Sequence, residues 1–192
     1  MTPVPRGGWR MWSLNEDGYL TSKWGACDSY QSPIITAECA TYGCTDVPGP
    51  NCRCGIYFVE DASAMIRETY RHTVFERGYS SDFPMPVLTL VEPMGRIVDA
   101  PIEPKFGGAK VWRAASVRIA AIVIDSEIRK RGGQLSDTYG VPIHVGLLEP
   151  VLRAVERAHR TSTAGGAPSI TNPLTHSGVV GIGALAAEGV RR

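Results

Sequence analysis

Polar and apolar residues alternate along Trp9-Arg10-Met11-Trp12-Ser13-Leu14, and Tyr19-Leu20-Thr21-Ser22 offers a second short extended run beyond Asn15-Glu16-Asp17-Gly18. Two period-two runs that flank an Asp-Gly turn predict a β-hairpin. From Trp24 to about Pro50 the chain is rich in Gly, Pro, Ser and Thr without a sustained period, which predicts irregular backbone. Gly55-Ile56-Tyr57-Phe58-Val59 is short, β-branched and aromatic, and predicts a strand. Asp61 is placed to cap a following helix with Met65, Ile66, Tyr70 and Val74 on its apolar face, broken by Phe83 to Pro86.

Two further strand-like runs, Val87 to Val91 and Gly95 to Val98, are separated by Glu92-Pro93-Met94, where the proline predicts a turn. Pro101 to Gly108 reads as a loop. Val111 to Ile124 mixes helix-favouring alanines with Val117-Arg118-Ile119 and Ile122-Val123-Ile124, and its near-continuous apolar character favours a buried strand. Ser126 and Glu127 open a short predicted helix that Gly132-Gly133 ends, and Val141 to Val145 reads as extended. Leu147 to His159 carries Leu148, Val151, Leu152 and Val155 on one face and Arg153, Glu156 and Arg157 on the other, the pattern of an amphipathic helix. Thr161 to Asn172 reads as a linker, and the glycine-laden apolar end as a flexible tail or a segment that orders against a partner.

Together these elements predict an α+β fold: a small, mostly antiparallel sheet or partly open barrel with two main helices. Residues 1–160 are expected to form the domain and residues 161–192 the linker and tail. A chain of 192 residues buries a sizeable core without staples, so a metal or disulfide would be local reinforcement. A net charge of +1 is too balanced for the broad positive field of non-specific nucleic-acid binding. No stretch supplies the roughly 20 consecutive apolar residues of a membrane helix. The Pro-rich N-terminus does not read as a secretory leader, so the expected setting is cytoplasmic and reducing, without membrane association.

The candidate chemistry lies in the irregular region. Cys39, Cys44, Cys52 and Cys54 follow the pattern C-x4-C-x7-C-x-C, with Gly43, Pro48, Gly49 and Pro50 supplying turns between them. In a reducing compartment a tight group of thiols points to metal more readily than to disulfides. Short connections lower the entropy of wrapping a loop round one ion, and a tetrahedral zinc site takes four such soft ligands. The expectation is therefore a structural zinc knuckle at about 37–56 with those four cysteines as ligands, against the alternative of buried thiols packed as small hydrophobes. Cys27 reads as a core thiol and His72 as a substitute ligand. Four sulfur ligands would close the coordination shell and leave no position for a reactive water.

Trp12-x-Leu14, Leu20-x-Ser22, Trp24, Ala37-x-Cys39, Pro50-x-Cys52-x-Cys54-Gly55-Ile56-Tyr57, Gly95-x-Ile97-Val98, Trp112-Arg113-Ala114 and Tyr139-Gly140-Val141-Pro142 occur in that order. This order resembles a family of small uncharacterised proteins of actinobacteria and their phages, over roughly residues 9–145. The resemblance implies that histidine also serves near the position of Cys44, an exchange that a zinc ligand tolerates, and it implies a host or phage setting without an activity. Asp99 to Lys110 departs from the family's short aromatic-and-histidine connection.

The favoured expectation is a non-enzymatic, zinc-stabilised interaction protein with a protein partner. The alternative is a nucleic-acid-binding zinc protein, with Arg129, Lys130 and Arg131 and the pair Arg113 and Arg118 on phosphates. A thiol- or zinc-dependent enzyme is the third reading. The phosphate-loop, G-x-S-x-G, H-E-x-x-H and deaminase patterns are all missing, and Glu68, Asp125, Glu127 and His144 are the residues left for an acid/base site.

Overall fold

The computed structural model describes residues 4–22, 29–39, 43–49, 51–71, 86–100 and 108–164. Its organising element is a strand of alternating and continuous apolar residues, Val111–Ile124, which borders four other strands and is buried along most of its length. In chain order the strands are β1 (Gly8–Leu14), β2 (Leu20–Thr21), β3 (Ser29–Tyr30), β4 (Ile34–Thr36), β5 (Ile56–Val59), β6 (Pro86–Asp99), β7 (Val111–Ile124) and β8 (Ile143–Val145). The helices are α1 (Ala62–Arg71), α2 (Gly132–Tyr139) and α3 (Leu148–Ala164), with a 3-10 turn at Ser126–Arg131 before α2.

The fold is α+β and its sheet is mostly antiparallel, with β7–β8 the one parallel pair among the described strands. β1 pairs with β6, β6 with β7, β7 with β5, and β5 returns to β1 through Trp9 and Val59, so the pairings form a closed cycle. β2 and β3 extend from β1, and β4 and β8 from β7.

Each face of this sheet buries its own cluster. Trp12, Phe58, Trp112, Ile119 and Ile122 pack with Leu135 and Tyr139 of α2. Trp9, Val59, Leu88 and Val123 pack with Ala64 and Met65 of α1 and Leu152 and Val155 of α3. Burying each large apolar side chain contributes about 1.5–3 kcal/mol before entropy is counted. The indole N–H of buried Trp12 is satisfied by Thr89 Oγ1 at 2.8 Å, and that of Trp112 by Glu60 Oε1 at 2.6 Å.

The hairpin forms as the alternation predicts, with Ser13 opposite Thr21 and Leu14 opposite Leu20. Asp61 begins α1 by accepting the Ser63 N–H at 2.8 Å. β7 is one strand, and α3 buries Val151, Leu152 and Val155. Three expectations are corrected. The supposed turn at Glu92-Pro93-Met94 lies inside a single strand, β6, whose register against β7 shifts between Leu90 and Val91 and again between Met94 and Ile97. Pro93 is tolerated because it lies past the stretch of β6 that β1 covers, so its missing N–H interrupts no ladder on that side. The short helix at Ser126–Arg131 does end at Gly132, as expected, but the same glycines go on to open α2 rather than an extended run: Gly132 adopts helical angles, and the chain turns left-handed only at Gly140.

The third correction concerns the region read as wholly irregular, which contains the short strands β3 and β4. They are too brief to show a period, and pairing with β2 and β7 makes them strands. The last helix also runs on to Ala164, past the expected start of the linker. Tyr70 lies in α1 with its side chain outside the description; Cys27, His72, Val74 and the tail beyond 164 lie outside the described residues.

Candidate metal centre

The four cysteines are delivered by two segments that β7 holds side by side. Ala37, just past β4, donates its N–H to Ala115 O at 2.8 Å, which leads the chain into Cys39 alongside β7. On the other side β5 begins at Ile56 opposite Ala114, immediately after Cys54 and Gly55. The knuckle between these anchors is also tied at its surface by Asp46 and Arg96 of β6, 3.5 Å apart, a pair of the exposed kind that contributes little to stability.

Cys39, Cys44, Cys52 and Cys54 converge so that one sulfur from each lies within 4.8 Å of the others. None of the four is disulfide-bonded, and all are half-buried. Cys39 Sγ and Cys52 Sγ are 3.6 Å apart, too far for a bond between them. In a tetrahedron with metal–sulfur bonds of about 2.3 Å, neighbouring sulfurs stand roughly 3.8 Å apart. The cluster therefore has nearly the dimensions of a tetrahedral thiolate site, and the four cysteines could hold a metal ion.

The backbone round the sulfurs is compatible with such a site. Gly49 donates its N–H to Cys54 Sγ at 3.2 Å, and Cys54 donates its own to Cys52 Sγ at 3.4 Å. Such donors stabilise sulfur as thiolate. A Cβ on Gly49 would stand 3.0 Å from Cys44 Sγ and 3.3 Å from Cys52 Cβ, so the absence of a side chain leaves the room the sulfurs occupy. Gly55 has φ +114°, and a Cβ there would meet Pro48 Cβ at 2.9 Å and Arg113 Cβ at 3.2 Å. Only glycine makes the step from Cys54 into β5 without strain.

Without a cation this crowding keeps protons on sulfur. Hydrogen bonding to the Cys39 thiol, reinforced by burial and by Cys52 and Cys54, pushes the Cys44 thiol up to about 12. Burial likewise raises Cys54, against the opposing pull of the Gly49 N–H. A divalent ion reverses this preference, since a coordinated thiol is deprotonated outright.

Two residues that sequence reasoning did not assign to this centre hold its C-x-C corner. Arg113 of β7, 5% exposed, donates through one guanidinium nitrogen to the carbonyl oxygens of Cys52 and Cys54, the latter at 3.2 Å. Tyr57 donates its hydroxyl to Arg53 O at 2.8 Å. Arg113 is therefore not a phosphate contact, as the basic-residue reading had it. Arg118 is exposed and pairs with Glu92, whose Oε2 accepts from Arg118 Nε at 2.8 Å. Arg129, Lys130 and Arg131 are exposed on the 3-10 turn beside Asp125 and Glu127, and Arg131 bonds Gln134 Oε1 at 3.1 Å.

Of the four residues left for acid/base chemistry, Asp125 and Glu127 sit together on the 3-10 turn. Asp125 caps the 3-10 turn by accepting the Glu127 N–H at 3.0 Å. His144 lines a cavity of about 340 Å3 with Leu90, Ala120, Ala121, Ala154, Val155 and Ala158, and no carboxylate is among the described residues that line it. Glu68 belongs to α1.

No helix of the described residues is long and apolar enough to cross a membrane. Compared with known proteins, the chain finds no matching family model, no matching curated protein and no matching solved structure.

Proposed function

We propose that this protein is a non-enzymatic interaction module whose fold is completed by a structural zinc ion. The observation that carries this reading is the convergence of Cys39, Cys44, Cys52 and Cys54 to within 4.8 Å. Soft thiolates in a tetrahedral arrangement favour zinc among the abundant divalent ions, and four of them close its shell, the chemistry of a structural site. By joining the segment after β4 to the segment before β5, the ion locks together two strands that both pair with β7.

The proposed partner is a protein. Ile34 on β4 is 50% exposed, and among the described residues β4 pairs only with β7, so the metal-anchored strand presents an edge that a partner can engage. The resemblance to the actinobacterial and phage family extends this proposal to a partner in a bacterial host. Balanced charge, and acidic neighbours beside the Arg129-Lys130-Arg131 run, weigh against nucleic acid.

Thermal melting of zinc-loaded protein before and after chelation tests the carrying observation. The expected result is a large fall in melting temperature that added zinc restores; an unchanged melt removes the zinc reading. A salt-sensitive mobility shift of mixed-sequence DNA at low salt would move the proposal to the nucleic-acid alternative.

A further inference from the structure

Arg113 is a buried cation without a visible counter-charge. No carboxylate pairs with it among the described residues, its Nε is buried without a hydrogen-bond partner, and its guanidinium lies over Tyr57, whose ring centroid is 6.0 Å from Cζ. A buried charge left uncompensated is strongly destabilising, and an unmet buried donor adds to that cost. The carbonyls of Cys52 and Cys54 solvate part of the guanidinium but do not neutralise it.

We infer that Arg113 and Tyr57 form an outer clamp on the metal centre, Arg113 supplying the counter-cation of the thiolate cluster and the two side chains together fixing the C-x-C corner. The inference rests on the metal reading above. A divalent ion with four thiolates carries a net charge of about −2, which supplies the partner Arg113 lacks. The geometry is specific: Arg113 takes the first and third carbonyls of Cys52-Arg53-Cys54, and the Tyr57 hydroxyl takes the second. Three successive carbonyls are held while the sulfurs of Cys52 and Cys54 face the cluster. Tyr57 and Arg113 lie directly opposite in the β5–β7 ladder, so the sheet register brings the clamp together. Groups that orient ligands from behind in this way tune metal affinity without touching the ion.

The test uses the full chain and zinc alone, with affinity and release rate read by competition against a chromophoric chelator for wild type, Arg113→Met, Arg113→Lys and Tyr57→Phe. Circular dichroism checks that each is folded at the temperature used. The clamp predicts zinc binding weaker by about 10–100-fold in Arg113→Met, with faster release. It predicts partial recovery in Arg113→Lys, which keeps the charge, and faster release in Tyr57→Phe, which loses one hydroxyl at the surface end of the corner. A residue that merely packs would lower the melting temperature and leave zinc affinity of the folded protein unchanged. Wild-type affinity and release in folded Arg113→Met and Tyr57→Phe would overturn the clamp while leaving the metal centre standing. If Arg113→Met does not fold, an unchanged release rate in Tyr57→Phe overturns it. Failure of wild type to take up zinc would overturn the clamp and the metal reading together.

Discussion

The hydroxyl of Tyr139, at the end of α2, accepts the backbone N–H of Leu20 in β2 at 2.8 Å. It also donates to Tyr30 O in β3, so one oxygen fastens a helix to two strands too short to hold themselves. Tyr139→Phe leaves the Leu20 N–H buried and unmet, and is expected to cost about 1–3 kcal/mol in urea unfolding. A loss below a few tenths would mean that the hairpin end stands without this bond.

Gly55→Ala tests the joint between the knuckle and β5. At φ +114°, with Pro48 Cβ 2.9 Å from the new methyl, alanine strains the backbone or displaces the proline. The expected cost is about 1–3 kcal/mol together with weaker metal binding, because the shift propagates to the adjoining Cys54. Calorimetry and metal titration of the same sample check both.

Cys54→Ser removes one of the four proposed ligands and the acceptor of the Gly49 N–H. Structural zinc supplies about 10–16 kcal/mol of binding in small zinc peptides, so even partial loss of the site should destabilise this fold by more than about 3 kcal/mol. Zinc should then no longer raise the melting temperature. If the thiols are only packed, the substitution costs little and melting responds to neither zinc nor chelator.

His144 gives a signature in pH. Burial holds its imidazole below the ordinary value of 6.5, so the unfolded chain takes up this proton before the folded one does. The stability it contributes is present above 6.5 and is lost as pH falls from there to the lowered folded value. Melting temperature should therefore fall less steeply below 6.5 in His144→Gln than in wild type, the difference isolating this residue from the other histidines. Parallel profiles would show that His144 is as well solvated folded as unfolded.

The legible parts of this fold were those with long patterns. β7 was readable because a buried central strand is apolar along its length, and α3 because Val151, Leu152 and Val155 keep a helical period. β6 was read as two strands because a proline usually ends pairing, and the sequence does not show that its edge is open there. α2 was hidden by Gly132-Gly133, whose low helix propensity is overridden by packing of Leu135 and Tyr139 on the sheet. The cysteines were visible because ligand density and turn residues are local signals. Arg113 was not, because it meets Cys54 across 59 residues of chain and only the β5–β7 register makes them neighbours.

The most direct test of the central claim is metal content by mass spectrometry on protein purified without an affinity metal column. The account predicts one zinc per chain, lost in Cys54→Ser. A chain without metal and with four titratable thiols in the cluster, or one carrying iron in place of zinc, would contradict it.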